Sequence, residues 1–256
     1  MGLHEAISKV KWGALDTGGP RHLYRERLMV GSLLGNLDSG RVLDAGCGNG
    51  TLTAKLARFG FEAYGLELSQ AQLVLAQQRA TELSLEHRIG MIQGDVTQLP
   101  FPDVWFDAVV CGEVLEHVEN DASAVMEFRR VLKSGGICVV TVPANPRLWG
   151  IDDEWVGHVR RYQKRELLDL FESNGFRVKR IRYWGFLFLR IYRQIVSWLW
   201  IRRAINKEPQ VLQKDMMTRV GVNNKVSLLL AHVFNIDNLF SNLPWGIGFL
   251  LEAEKT

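Results

Sequence analysis

Arg41-Val42-Leu43-Asp44-Ala45-Gly46-Cys47-Gly48-Asn49-Gly50 decides the fold of this chain. A short apolar run ends in an acid and passes into glycines at alternate positions, the pattern of a buried strand running out into a tight turn. Glycine permits the unusual dihedrals of such a turn and lets a ligand approach the backbone closely. Thr51–Phe59 then reads as a helix whose first amides point back toward that ligand. The expectation is a cofactor site at the carboxyl end of the first strand of an α/β sheet. A dinucleotide fingerprint needs G-x-G-x-x-G, but Thr51 stands where the third glycine would fall, and no Walker lysine follows. Asp44, just ahead of the first glycine, suits a cationic ligand better than a phosphate.

Working outward, Glu62–Leu68 reads as a second strand ending in Glu67, an acid placed to hold a ribose diol through charge-assisted hydrogen bonds. A third strand, Ile89–Gly94, leads to Asp95 and Val96, positioned for an adenine amino group and one face of its ring. Phe106–Cys111 is a fourth strand, followed by Gly112-Glu113-Val114-Leu115-Glu116-His117-Val118. A helix over Asp121–Leu132, the turn Lys133-Ser134-Gly135-Gly136 and a fifth strand, Ile137–Val142, complete a βαβ series. Phe176–Tyr183 and Gly246–Ala253 read as the last two strands.

The D-x-G-x-G-x-G run at 44–50 resembles motif I of the class I S-adenosylmethionine (SAM) dependent methyltransferases. With the stretches after it, residues 41–145 resemble the type 11/12, ubiquinone-biosynthesis-like branch of that family. The resemblance implies SAM as cofactor and S-adenosylhomocysteine as product. It also implies a Rossmann-like seven-stranded sheet of order 3-2-1-4-5-7-6, its last strand antiparallel, with helices on both faces. The cofactor-binding residues it implies are Asp44, Gly46, Cys47, Gly48, Gly50, Glu67, Leu68, Asp95, Val96 and Cys111.

At 256 residues, 47% hydrophobic and 23% charged, the chain can bury an α/β core without staples. A single domain over 1–256 is expected: an N-terminal helical cap (1–40), the core (41–183), a helical lid insertion between strands six and seven (184–243), and the last strand (244–256). The cap's Pro20–Met29 has a charged and an apolar side at helical spacing, which makes Tyr24 and Arg25 candidate substrate contacts. Met1–Gly19 is too polar and too broken by charge for a signal peptide. Three cysteines without metal-ligand spacing suit a reducing cytoplasm, and no metal site is expected.

The loop after the fifth strand carries the candidate chemistry. Ile151–Tyr162 contains D-x-x-x-x-H-x-R-R-Y and lies on the same rim as the glycine turn, where α/β folds place their function. His158 is the first choice for a catalytic base, because histidine titrates near neutrality and a sulfonium methyl acceptor needs alignment and deprotonation. Asp153 would orient its ring, His117 is the rival base, and Arg160, Arg161 and Tyr162 are candidate substrate contacts. Plain structural roles compete for each of these.

Residues 177–207 hold nine Lys or Arg and no Asp or Glu, against a whole-chain charge of +3, so the basic balance is local. Trp184–Ile201 is dominated by large apolar residues with Arg190 and Arg193 inside it. Charges at bilayer depth cost roughly 2.5–3.5 kcal/mol each, which argues against a spanning helix and for one lying in the headgroup region. The expectation is a methyltransferase for a small-molecule or lipid-linked acceptor, at oxygen, peripheral at an anionic membrane surface through 184–205. Carbon or nitrogen acceptors, and a catalytically silent SAM-binding, membrane-associated subunit, remain open. So does the choice between monomer and homodimer. Nucleic acid is not an expected partner, since the arginines are interleaved with large aliphatics.

Overall fold

In a computed structural model, which describes residues 19–204, 229–230, 232–240, 243 and 245–256, Arg41–Ala45 forms β1. It lies parallel between β2 (Glu62–Glu67) and β4 (Phe106–Gly112), with Val42 opposite Ala63 on one side and Ala108 on the other. With β3 (Ile89–Gln93), β5 (Leu132–Pro143), β6 (Phe176–Trp184) and β7 (Gly248–Lys255), the sheet runs in the order 3-2-1-4-5-7-6. β7 is antiparallel to both neighbours, placing Leu251 between Val140 and Ile181. The expected order and orientation are therefore those observed.

Side chains alternate across a strand, and both faces of this sheet are covered. Leu43, Val109 and Val140 face α4 (Asp121–Val131) and α6 (Lys164–Ser173), where Val125, Phe128, Leu167 and Phe171 complete one core. Their neighbours Val42, Ala108 and Val139 face α1 (Pro20–Leu34) and α2 (Thr51–Arg58), packing with Met29, Leu33 and Leu56. α3 (Gln70–Glu82) joins β2 to β3 and is capped by Ser69, whose hydroxyl accepts from the Gln72 amide. Asn120 caps α4 in the same way, accepting from the Ser123 amide at 3.2 Å. Phe106 pairs with Leu132 and Ala108 with Ile137, so the turn at 133–136 bulges out within β5 instead of preceding it.

Three boundaries differ from expectation. The loop after β5 contains a short helix, α5 (Ile151–Val156), closed by the Gly150 amide donating to Asp153 Oδ2 at 2.8 Å. Trp184 ends β6 and does not begin the insertion helix; its indole donates to Phe249 O. The insertion helix, α7 (Leu187–Ala204), starts after Gly185, where φ is +72°, and the buried Asp237 carboxylate accepts from the amides of Phe186, Phe188 and Leu189. The sequence also predicts a second insertion helix over Lys225–Val233, of which Leu229, Leu230, His232 and Val233 are helical and lead into a 3-10 turn at Phe234–Phe240. The rest of it, and cap residues 1–18, lie outside the described residues.

Candidate active site

The glycine turn folds back on β2, with the Gly46 and Cys47 amides donating to Leu66 O at 2.8 and 2.9 Å. Gly46 has φ +78°, and a Cβ there would fall 2.4 Å from Val114 Cγ2, so no larger residue fits. At Gly48 the added atom would meet nothing nearer than Gln72 Oε1 at 3.9 Å, which leaves open space over the turn. Beneath it Asp44 is 2% exposed and accepts from Thr53 Oγ1 at 2.6 Å. Burial raises its carboxyl to about 7, with the Thr53 bond only partly opposing. An open cradle above a buried acid fits a ligand that is cationic where it meets the protein, as SAM is at its sulfonium and ammonium.

At the end of β2, Glu67 accepts from the Gly48 amide at 3.0 Å and the Ser69 amide at 2.8 Å. Leu68 is exposed, Val96 is buried, and Asp95 lies exposed at the end of β3, accepting from Thr97. These four mark the rim beyond the turn. Cys111 is fully buried in the core, so only its backbone could serve a ligand, and Gly50, with φ +75°, precedes α2.

A cavity of about 360 Å³ joins this cradle to the loop after β5. Asp44, Gly46, Cys47 and Gly48 line it on one side and His117, Asp153, His158 and Arg161 on the other. His158 Nδ1 lies 2.7 Å from Asp153 Oδ1, and Arg161 Nε donates to the same oxygen at 2.8 Å. Burial opposes ionisation of Asp153, but the bonds from His158 and Arg161 outweigh it and hold the carboxyl down to about 2. With Nδ1 turned to a carboxylate, Nε2 is the nitrogen left for other partners. His117 stacks edge-on against the His158 ring at 4.8 Å, and Gly157 O lies 3.1 Å from its Nδ1. Burial, followed by the neighbouring His158, lowers its affinity for a proton.

Sequence reading passed over several cavity residues, among them Arg21, His22 and Glu26 from α1, Glu113 after β4, and Asp152. Glu113 sits at φ +58° and accepts from Arg21 Nη2 at 2.8 Å, with Arg25 at 4.0 Å; burial opposes its ionisation, but these arginines prevail and lower its pKa. Glu116, which is fully buried, has neither carboxylate oxygen hydrogen-bonded, and burial and then Glu113 raise its pKa well above the usual range. Its Oε1 is 3.6 Å from His158 Nε2. Donor atoms of Glu116, His117 and His158 all lie within 4.8 Å of one another, a set able to hold a divalent cation where none was expected.

Three expected substrate contacts are engaged elsewhere. Tyr24 is fully buried, edge-on to Trp184 and Phe234, because its position on α1 faces the sheet. Arg160 Nη1 and Tyr162 Oη both donate to Asp121 Oδ2 at 2.7 Å, latching the loop onto the first turn of α4. Arg25 and Arg161 do line the cavity.

Comparison with known proteins agrees with this geometry. Residues 43–140 match the methyltransferase domain family. This segment is a class I, SAM-dependent methyltransferase domain. The domain is 41% identical over 120 residues to a ubiquinone biosynthesis O-methyltransferase of Alkalilimnicola ehrlichii, covering 46% of this chain and 48% of that protein. The chain thus spans about half the length of that curated relative. Among solved structures, the cyclase SpnF superposes with a TM-score of 0.60 at 27% identity, covering 90% of this chain and 80% of that one. A geranyl diphosphate C-methyltransferase from Streptomyces coelicolor A3(2), solved with Mg2+, geranyl diphosphate and S-adenosylhomocysteine, gives 0.60 at 18% identity, covering 92% and 79%. The methyltransferase domain fold therefore serves O-methylation, C-methylation and a cyclase, and the reaction has to be argued from the site.

Proposed function

We propose that the chain transfers a methyl group from SAM to a small-molecule or lipid-linked acceptor, at oxygen, with His158 as general base. The observation that carries this is the shared cavity, which puts the Asp44–Gly48 cradle opposite a histidine whose other nitrogen is held by Asp153. SAM supplies an electrophilic methyl group on a sulfonium sulfur. Asp44 and the open face of the turn over Gly48 would hold that donor, Glu67 and Asp95 would reach its ribose and adenine, and Asp153 fixes the imidazole so that Nε2 accepts the acceptor's proton. Arg25 and Arg161 offer positive charge to an anionic part of the acceptor. The test is methyl transfer from radiolabelled SAM to a lipid extract. Replacing His158→Ala lowers the rate about 10²–10⁴-fold, the range general bases contribute, with SAM binding retained. SAM binding without any labelled product, unchanged by His158→Ala, would leave a silent binding subunit instead.

Glu116, whose carboxylate oxygens accept no hydrogen bond, favours a second reading of the same site. A divalent cation held by Glu116, His117 and His158 would polarise the acceptor oxygen. Chelation followed by Mg2+ addition separates the two: activity restored by the ion supports the cation, and activity indifferent to chelation supports the base.

No helix among the described residues is long and apolar enough to cross a membrane. The outer side of α7 nevertheless exposes Leu187, Phe188, Ile191 and Ile195. We propose that this side rests on an anionic membrane surface from the cytoplasmic side. Arg190 is exposed for that contact, whereas Arg193, expected to share it, is paired inward with Asp152.

A further inference from the structure

α7 reaches the cavity wall through Arg193. Its Nε donates to Asp152 Oδ2 at 2.8 Å, and its Nη2 donates to Asp152 Oδ1 at 3.1 Å and to Leu148 O at 2.9 Å. One planar guanidinium thus grips both the approach to α5 and its first turn. The next residue is Asp153, 1% exposed, whose Oδ1 takes His158 and Arg161 and whose Oδ2 takes the Gly150 amide. Arg193 Nη2 stands 3.9 Å from that second oxygen.

α5 has six residues, too few to hold itself as a helix, so its place depends on tertiary contacts. Its first turn also concentrates Asp152, Asp153 and Glu154, which repel one another unless cations intervene. Arg161 balances that charge from the cavity side and Arg193 from the insertion. A lysine could replace the charge of Arg193 but not the bidentate fork.

We propose that Arg193 is a positioning residue, acting through Asp152 and Leu148 to keep α5 where Asp153 fixes one tautomer of His158. The insertion is then part of the catalytic apparatus as well as a cover. This deepens the reading of His158 as the base and rests on it.

The test uses the full chain and long-range nitrogen–proton NMR correlations of its imidazole rings, which need no acceptor. Wild type shows His158 as a single tautomer with Nδ1 protonated. Arg193→Ala mixes the tautomers, Arg193→Lys restores the wild-type signal in part, and the exposed His87 does not move. Arg177→Ala, which removes an ion pair to Glu254 on the far edge of the sheet, leaves His158 unchanged. With labelled SAM and lipid extract, Arg193→Ala lowers kcat about tenfold or more while KM for SAM stays within about twofold, as expected for misplacement of a base. A folded Arg193→Ala protein with an unaltered His158 spectrum overturns the proposal. Should that variant not fold, Asp152→Asn and Arg193→Lys carry the same comparison. If the spectrum moves but His158→Ala transfers methyl groups like wild type, the base reading falls and the coupling stands. If His158→Ala is inactive and the Arg193 spectrum is unmoved, the coupling alone falls.

Discussion

Asp44 shows how far one residue can be read from its neighbours in sequence. Its place before alternate glycines announced a cationic ligand, and the structure adds what the motif could not, namely burial and the bond from Thr53. With a folded-state value of about 7 against roughly 3.9 in the unfolded chain, the native state binds the extra proton between those limits. Stability of the ligand-free protein therefore falls as pH rises from about 4 to about 7, by at most about 1.4 kcal/mol per unit. A cationic ligand reverses the preference, since it favours the ionised acid. SAM affinity should rise toward pH 7 with release of a proton at lower pH, seen by titration calorimetry in buffers of different ionisation enthalpy. Asp44→Asn should flatten the profile, and a flat wild-type profile would remove Asp44 from the ligand's surroundings. Glu113 and Glu116 were not legible in this way. Their roles depend on arginines from α1 and a histidine from the far loop, about 90 and 40 residues distant in sequence.

At the scale of elements, legibility followed length and period. β1 to β5 are apolar runs punctuated by acids and glycines and were readable as strands, while their order in the sheet came from the family resemblance. α5 was not, because a six-residue helix has no period to show and is made by its cap and by Arg193 and Arg161. Trp184 was misplaced because an aromatic residue next to a helical pattern says nothing about which element claims it; its indole bond to Phe249 O does. The cap helix was readable, but its fastening was not. Glu26, 1% exposed on α1, takes the Thr51 hydroxyl, Lys55 and, at 2.9 Å, His22 Nε2. Burial opposes its ionisation, and the contacts from His22 and Lys55 more than compensate, keeping its carboxyl well below the usual range. Glu26→Ala should cost about 2–4 kcal/mol, since it leaves buried partners unmatched. The urea midpoint measures that loss. Amide exchange should quicken across Pro20–Leu34 more than across β4 and β5, and uniform quickening would mean that Glu26 supports the whole fold and not the cap.

For the whole molecule, the distribution of charge and apolar surface separates two ways in which the insertion could act. An insertion serving only as a lid would bury its apolar side chains against the core, as Leu189 and Phe186 do. Instead α7 shows Leu187, Phe188, Ile191 and Ile195 to solvent on the side away from Arg193, and the surrounding stretch carries nine cations without an acid. Surface attraction of about 1 kcal/mol per basic residue near an anionic leaflet decays within a Debye length, whereas apolar insertion is indifferent to salt. Co-sedimentation with phosphatidylglycerol vesicles should therefore weaken in moderate salt without vanishing. Ile191→Glu with Ile195→Glu should abolish the part that salt leaves, while SAM binding in the cavity stays unchanged. Binding that disappears wholly in salt would reduce the contact to charge alone, with the apolar stripe left over for a second copy of the chain. Binding that never appears, or that survives both the double substitution and salt, would detach this side of α7 from any membrane role.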